Sequence, residues 1–112
     1  MLGFSSWYAL TEESLEANAP DEPAAIQVRR TGGLVDYPSG KSAMVFYGLA
    51  DDVAARLAEL FDDELAAPGT RGFGSLQFRY YIGDDPRGYI EKVLHRFVQR
   101  FGRPPLFNTP AE

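Results

Sequence analysis

Residues 43–57 read Ala43-Met44-Val45-Phe46-Tyr47-Gly48-Leu49-Ala50-Asp51-Asp52-Val53-Ala54-Ala55-Arg56-Leu57, and they carry the chain out of a strand and into a helix. Ala43 to Tyr47 is apolar throughout, the pattern of a strand covered on both faces, and is expected to lie centrally in its sheet. Asp51 and Asp52 open a helix in which Val53, Leu57, Leu60, Phe61 and Leu65 recur at the helical period, with Asp62, Asp63 and Glu64 mostly on the other side.

Upstream, Ala24 to Arg30 alternates: Ala24, Ile26 and Val28 share one face, and Ala25, Gln27 and Arg29 the other. Between these strands, Gly32, Gly33, Pro38 and Gly40 mark a long turn, so the two strands form a hairpin with an extended tip. Further upstream, Thr11 followed by Glu12 and Glu13 starts a short helix ending near Asn18, ahead of Pro20. Downstream, Pro68, Gly69, Gly72 and Gly74 break the chain before a third strand, where Leu76, Phe78, Tyr80 and Ile82 alternate with Gln77, Arg79 and Tyr81.

Asp84 or Asp85 with Pro86 then begins a helix whose apolar stripe is Ile90, Val93, Leu94, Phe97, Val98 and Phe101. Gly102 closes it, and Pro104 and Pro105 prevent continuation. The elements define one α+β domain over 1–112: a small three-stranded, mixed or antiparallel sheet flanked by helices, in the order α, β, β, α, β, α. Residues 1–22 form an N-terminal helix and lead-in, and residues 109–112 a frayed tail.

An apolar fraction of 45% in 112 residues supports one packed core, and the absence of cysteine excludes disulfides, thiolate catalysis and cysteine-based metal centres. A metal must therefore use oxygen ligands or the single histidine, His95. The N-terminal stretch has no basic start, and no segment approaches the roughly 20 apolar residues of a membrane span, so a cytoplasmic chain with no membrane partner is expected. Charge is uneven: residues 1–70 hold four bases against twelve acids, a net of −8, while residues 71–112 hold seven bases against four acids, a net of +3. An acidic protein repels a polyanion at long range, yet a local basic patch still holds phosphates.

Three features together resemble the GIY-YIG nuclease superfamily. Phe46-Tyr47-Gly48 closes the second strand where that family has Tyr-Ile-Gly, and Arg56 lies ten positions after Phe46, matching the family's arginine. Pro23-Ala24-Ala25-Ile26 stands where the family begins its first strand, and Glu91 on the last helix precedes Pro105-Leu106-Phe107-Asn108, a Pro-x-x-Asn segment. The resemblance spans about Leu10 to Asn108. It implies a metal-dependent phosphodiesterase or endonuclease using Mg²⁺ or Mn²⁺, with Arg56, Glu91 and Asn108 in the site and Glu91 holding the metal. Nucleic acid, DNA or RNA, would be contacted by Arg56, Arg79, Arg87, Lys92 and Arg96.

The departures bear on mechanism. The two family tyrosines fall on Ile26, or Gln27 one residue off, and on Phe46. Neither isoleucine nor phenylalanine can hydrogen-bond or move a proton, so the water-activating part of the family mechanism is missing. Tyr37 and Tyr47 are the nearest substitutes, although Tyr47, adjacent to Phe46 on a strand, points to the opposite face.

Three readings follow: a catalytically degenerate domain that binds nucleic acid through Arg56 and the C-terminal bases, including Arg100 and Arg103; a divergent metal-dependent endonuclease; or a protein-interaction domain docking through Trp7 and Tyr8. Arg56 has a structural alternative as a stem lying over core residues, and Glu91 with His95 is also a surface i, i+4 pair. The literal Tyr81-Ile82-Gly83 has Glu91, not arginine, ten positions on, and Gly40-Lys41-Ser42 lacks the earlier glycine of a phosphate loop.

Overall fold

In a computed structural model, residues 4–62, 65 and 75–108 are described. The elements among them are β1 (Tyr8–Ala9), α1 (Glu12–Asn18), β2 (Ala24–Arg30), β3 (Val35–Tyr37), β4 (Gly40–Ser42), β5 (Met44–Ala50), α2 (Val53–Leu60), β6 (Leu76–Tyr81) and α3 (Pro86–Phe101). Asp63, Glu64, the expected break from Pro68 to Gly74 and the tail at 109–112 lie outside the described residues.

The helices start where local chemistry predicts. Thr11 Oγ1 accepts from the Ser14 N–H, Asp52 Oδ1 from Ala55, and Asp85 Oδ1 from Gly88, each satisfying a donor that the first turn leaves free. Pro86 follows Asp85 in the first turn of α3, and Gly102 ends that helix with φ 87°, a left-handed geometry suited to glycine. α2 stops at Leu60 rather than running through to Leu65; Phe61 caps it in non-helical geometry, and the Leu65 N–H then donates to the Phe61 carbonyl.

The main sheet is fully antiparallel and has four strands, in the order β1-β6-β2-β5; β3 and β4 form a separate two-stranded hairpin. A three-stranded sheet was expected from the sequence. The additional elements are two or three residues long and depend on cross-strand partners, which leaves little periodicity to read. β2 and β6 are the inner strands, and β5 lies at an edge rather than centrally. The continuous apolar run of β5 reflects cover on both faces: Phe46 meets Phe61 on one side, and Tyr47 meets Phe97 of α3 on the other. Ile26, Val28, Phe46 and Phe78 sit on the first face with Val53, Leu57 and Phe61, all buried.

α3 covers only part of the second face. Ile90 and Phe97 are buried, Val93, Leu94 and Phe101 partly so, and Val98, assigned to the stripe by sequence, is 40% exposed because it lies well round the helix from Ile90 and Phe97.

An edge strand exposes backbone groups that can recruit other strands. The chain covers the β5 edge with its own C-terminal segment: the Phe107 N–H donates to the Val45 carbonyl at 2.8 Å, the Tyr47 N–H donates to Asn108 Oδ1 at 2.8 Å, and Asn108 Nδ2 donates to the Tyr47 carbonyl. Asn108 thus pairs like one more residue of a strand. Asn108→Ala should destabilise the fold by about 1–3 kcal/mol by leaving the part-buried Tyr47 backbone without partners. A thermal melt checks this, and an unchanged melting temperature would show that the segment does not hold the edge.

Candidate nucleic-acid interface

The positions singled out by the resemblance do not form one open cleft. Ile26 is 0% and Phe46 2% exposed, and both lie in the core under α2, so the places of the family tyrosines hold packed apolar side chains. Arg56 stands outside that core on the exposed side of α2, where Nη1 lies 3.9 Å from Glu59 Oε1, a solvent-exposed pair of small energetic weight. It lines a shallow depression with Leu49, Ala50, Asp51, Asp52, Ala55 and Glu59. A neighbouring depression shares Leu49, Ala50 and Asp51 and adds Pro86 and Arg87, so Arg56 and Arg87 flank the turn from β5 into α2. Glu91 lines neither of these depressions.

Glu91 and His95 are both exposed on α3, and among the described residues no three His, Asp or Glu side chains converge on a point where a metal could sit. Asn108 is engaged by the β5 backbone. The substitute tyrosines are engaged as well. The Tyr37 hydroxyl donates to the Met44 carbonyl at 2.7 Å and accepts from the Leu106 N–H at 3.0 Å, joining β3, β5 and the C-terminal segment. Burial raises its pKa, against the smaller lowering effects of the Leu106 hydrogen bond and the Arg103 charge. Tyr47 lies on the opposite face from Phe46, and burial pushes its hydroxyl up to about 12, so it stays a neutral phenol at ordinary pH.

Cationic side chains gather instead around α3 and the uncovered part of the second sheet face. Lys92 and Arg96 are exposed, with Arg100 four residues further on, also exposed and with its guanidinium 5.0 Å from the Phe101 ring centre. Tyr89, Lys92, Arg96 and Arg100 succeed one another at intervals of three and four residues, so they form one line along the helix. At its start Tyr89 stacks on Tyr81 at 5.0 Å and meets Phe4 edge-on at 5.3 Å. Glu91, two residues from Tyr89, is turned roughly 200° around the axis and away from that line.

Comparison of the chain with protein-family models, curated proteins and solved structures finds no match. The site therefore rests on its own geometry.

Arg79 is the one predicted contact residue on the sheet. It is half-buried, with Nε donating to Gln27 Oε1 at 2.8 Å. Burial lowers its pKa first; Tyr89 raises it and the like charge of Arg29 lowers it further. Arg29, not identified as a site residue from sequence, belongs to the same cluster, as does Trp7. Alternation along β2 and β6 placed Arg29 and Arg79 on their strands' non-core faces, but the cross-strand register that unites them is not visible in either strand alone. Trp7 and Tyr8, expected as exposed docking residues, are both partly buried: Trp7 lies beneath Arg29 and Arg79, and Tyr8 against Phe78 and Tyr80. Among the described residues no helix is long and apolar enough to cross a membrane.

Proposed function

We propose that this chain is a GIY-YIG-like domain that binds nucleic acid without cutting it. The observation that carries the proposal is the line Lys92, Arg96 and Arg100 on α3, a helix that holds four Lys and Arg residues against a single carboxylate, Glu91. Cations placed at one-turn intervals meet successive phosphates, and the counterions released on contact drive association even for a protein of net negative charge. Cutting by the family route needs an activated water, and the buried Ile26 and Phe46 supply no hydroxyl for it. These features favour binding over a divergent Mg²⁺- or Mn²⁺-dependent endonuclease.

The test is a triple variant, Lys92→Gln, Arg96→Gln and Arg100→Gln, assayed by anisotropy against a labelled 12-mer. At low salt it should bind at least about tenfold more weakly than the parent, because three phosphate contacts are lost. These side chains are exposed, so the melting temperature should hold. Equal affinity in the parent and the triple variant would place binding elsewhere.

A further inference from the structure

Arg29 and Arg79 form a pair of like charges with no ion-pair partner among the described residues. They lie on the same face of adjacent strands: Arg29 is opposite Gln77 and Gln27 is opposite Arg79, so the two arginines are diagonal neighbours. Each is tied to the glutamine across from it through Nε, Arg29 to Gln77 Oε1 at 2.9 Å and Arg79 to Gln27 Oε1 at 2.8 Å. Gln27 is buried, at 4% exposure, so the crossbar beneath Arg79 is fixed.

The aromatic rings complete the mount. The Arg29 guanidinium lies 4.0 Å and that of Arg79 4.5 Å from the Trp7 ring centre, and Arg79 is also 4.2 Å from the Phe4 ring centre. No described carboxylate lies within ion-pair distance of either arginine, and no described residue accepts from their Nη groups. Two like charges held together and partly desolvated cost free energy. An arginine anchored through Nε and stacked on a ring keeps its Nη donors aimed outward, the arrangement that grips a phosphate.

We propose that Arg29 and Arg79 together bind a phosphodiester of single-stranded nucleic acid, with an adjoining base against the Phe4, Tyr81 and Tyr89 rings. This rests on the nucleic-acid reading above and narrows it. A single strand fits because those three rings are only partly buried and touch one another at 5.8, 5.3 and 5.0 Å, forming a cluster that can stack an unpaired base but not one held inside a duplex. The same Tyr89 begins the cationic line of α3, so further phosphates of the strand have a path to follow.

Trp7 is the only tryptophan in the chain and lies under both guanidinium groups, so its fluorescence reports on this site. The full chain is titrated with a single-stranded 12-mer, the matching duplex and inorganic phosphate, reading Trp7 emission and the anisotropy of a labelled strand. The single strand should change Trp7 emission saturably and bind more tightly than the duplex. Arg29→Gln and Arg79→Gln should each weaken it about tenfold, and Arg79→Lys should restore only part of the loss because a bidentate grip is gone.

Strand binding with unchanged affinity in both glutamine variants and no change in Trp7 emission overturns this site while leaving nucleic-acid binding intact. No strand binding at all overturns the broader reading and this one with it. Equal or tighter duplex binding with the same variant sensitivity overturns the single-strand assignment, and saturation by inorganic phosphate as tight as by the strand overturns the nucleic acid as ligand. Should a glutamine variant fail to fold, Arg29→Lys and Arg79→Lys keep the charge and the stem, and parent-like affinity in both contradicts a bidentate site.

Discussion

Phe97→Ala should lower the stability of this domain by about 3–5 kcal/mol, a large share of the roughly 5–15 kcal/mol typical of a single domain. Phe97 is 4% exposed and lies at the junction of three layers. Its ring meets Tyr37 of the β3–β4 hairpin at 5.1 Å, Tyr47 of β5 at 5.6 Å and Phe101 on its own helix at 4.5 Å. Truncation therefore removes ring contacts that α3 makes to both the main sheet and the hairpin, and the cavity lies between elements fixed by other bonds, such as that from the Ser39 N–H to the Phe101 carbonyl, and unable to close fully. Phe97→Leu, which refills most of the space, should recover much of the loss. Denaturant unfolding with both variants checks this, and an alanine variant as stable as the parent would contradict the placement of α3 on the sheet.

That placement was legible in the sequence because α3 is long, carries a regular stripe and has punctuation at both ends in Asp85, Pro86 and Gly102. The β2–β5 hairpin was legible for a similar reason, since each strand has enough residues to show its pattern. What stayed hidden depended on pairing between distant segments. β1 is two residues long and is a strand only because β6 lies beside it. The inner position of β2 follows from β6 crossing to its far side, and no property of β2 alone distinguishes an inner strand from an edge.

The candidate site divides along the same line. Lys92 and Arg96 could be assigned to an exposed face from helical spacing, and Arg79 to the non-core face of its strand. The Arg29, Trp7 and Arg79 cluster needs the β2–β6 register, with Trp7 brought in next to β1, and no local pattern specifies that. Asn108 was selected by resemblance as a site residue, whereas in the structure its amide completes the edge of β5.

The second large effect is the response of binding to salt. If three or four phosphates of a single strand are held by Arg29, Arg79 and the α3 line, raising monovalent salt from 50 to 200 mM should weaken the complex by about 20- to 50-fold. A protein bound through apolar stacking alone would lose far less, so the slope separates phosphate contacts from ring contacts. Low salt matters for this chain in particular, since its net charge of −5 opposes the approach of any polyanion and screening acts on that repulsion as well. The slope is therefore best compared with that of the Lys92→Gln, Arg96→Gln, Arg100→Gln variant, which keeps the acidic first half unchanged and should respond less steeply.

The most direct measurement combines binding and integrity of the strand: the full chain is incubated with an end-labelled single-stranded 12-mer and Mg²⁺ or Mn²⁺, with anisotropy read at both salt concentrations and strand length read on a denaturing gel. Salt-sensitive binding with the strand left intact is the expected result. Absence of binding at 50 mM salt, or cleavage that is lost in both Arg56→Ala and Glu91→Ala, would contradict it.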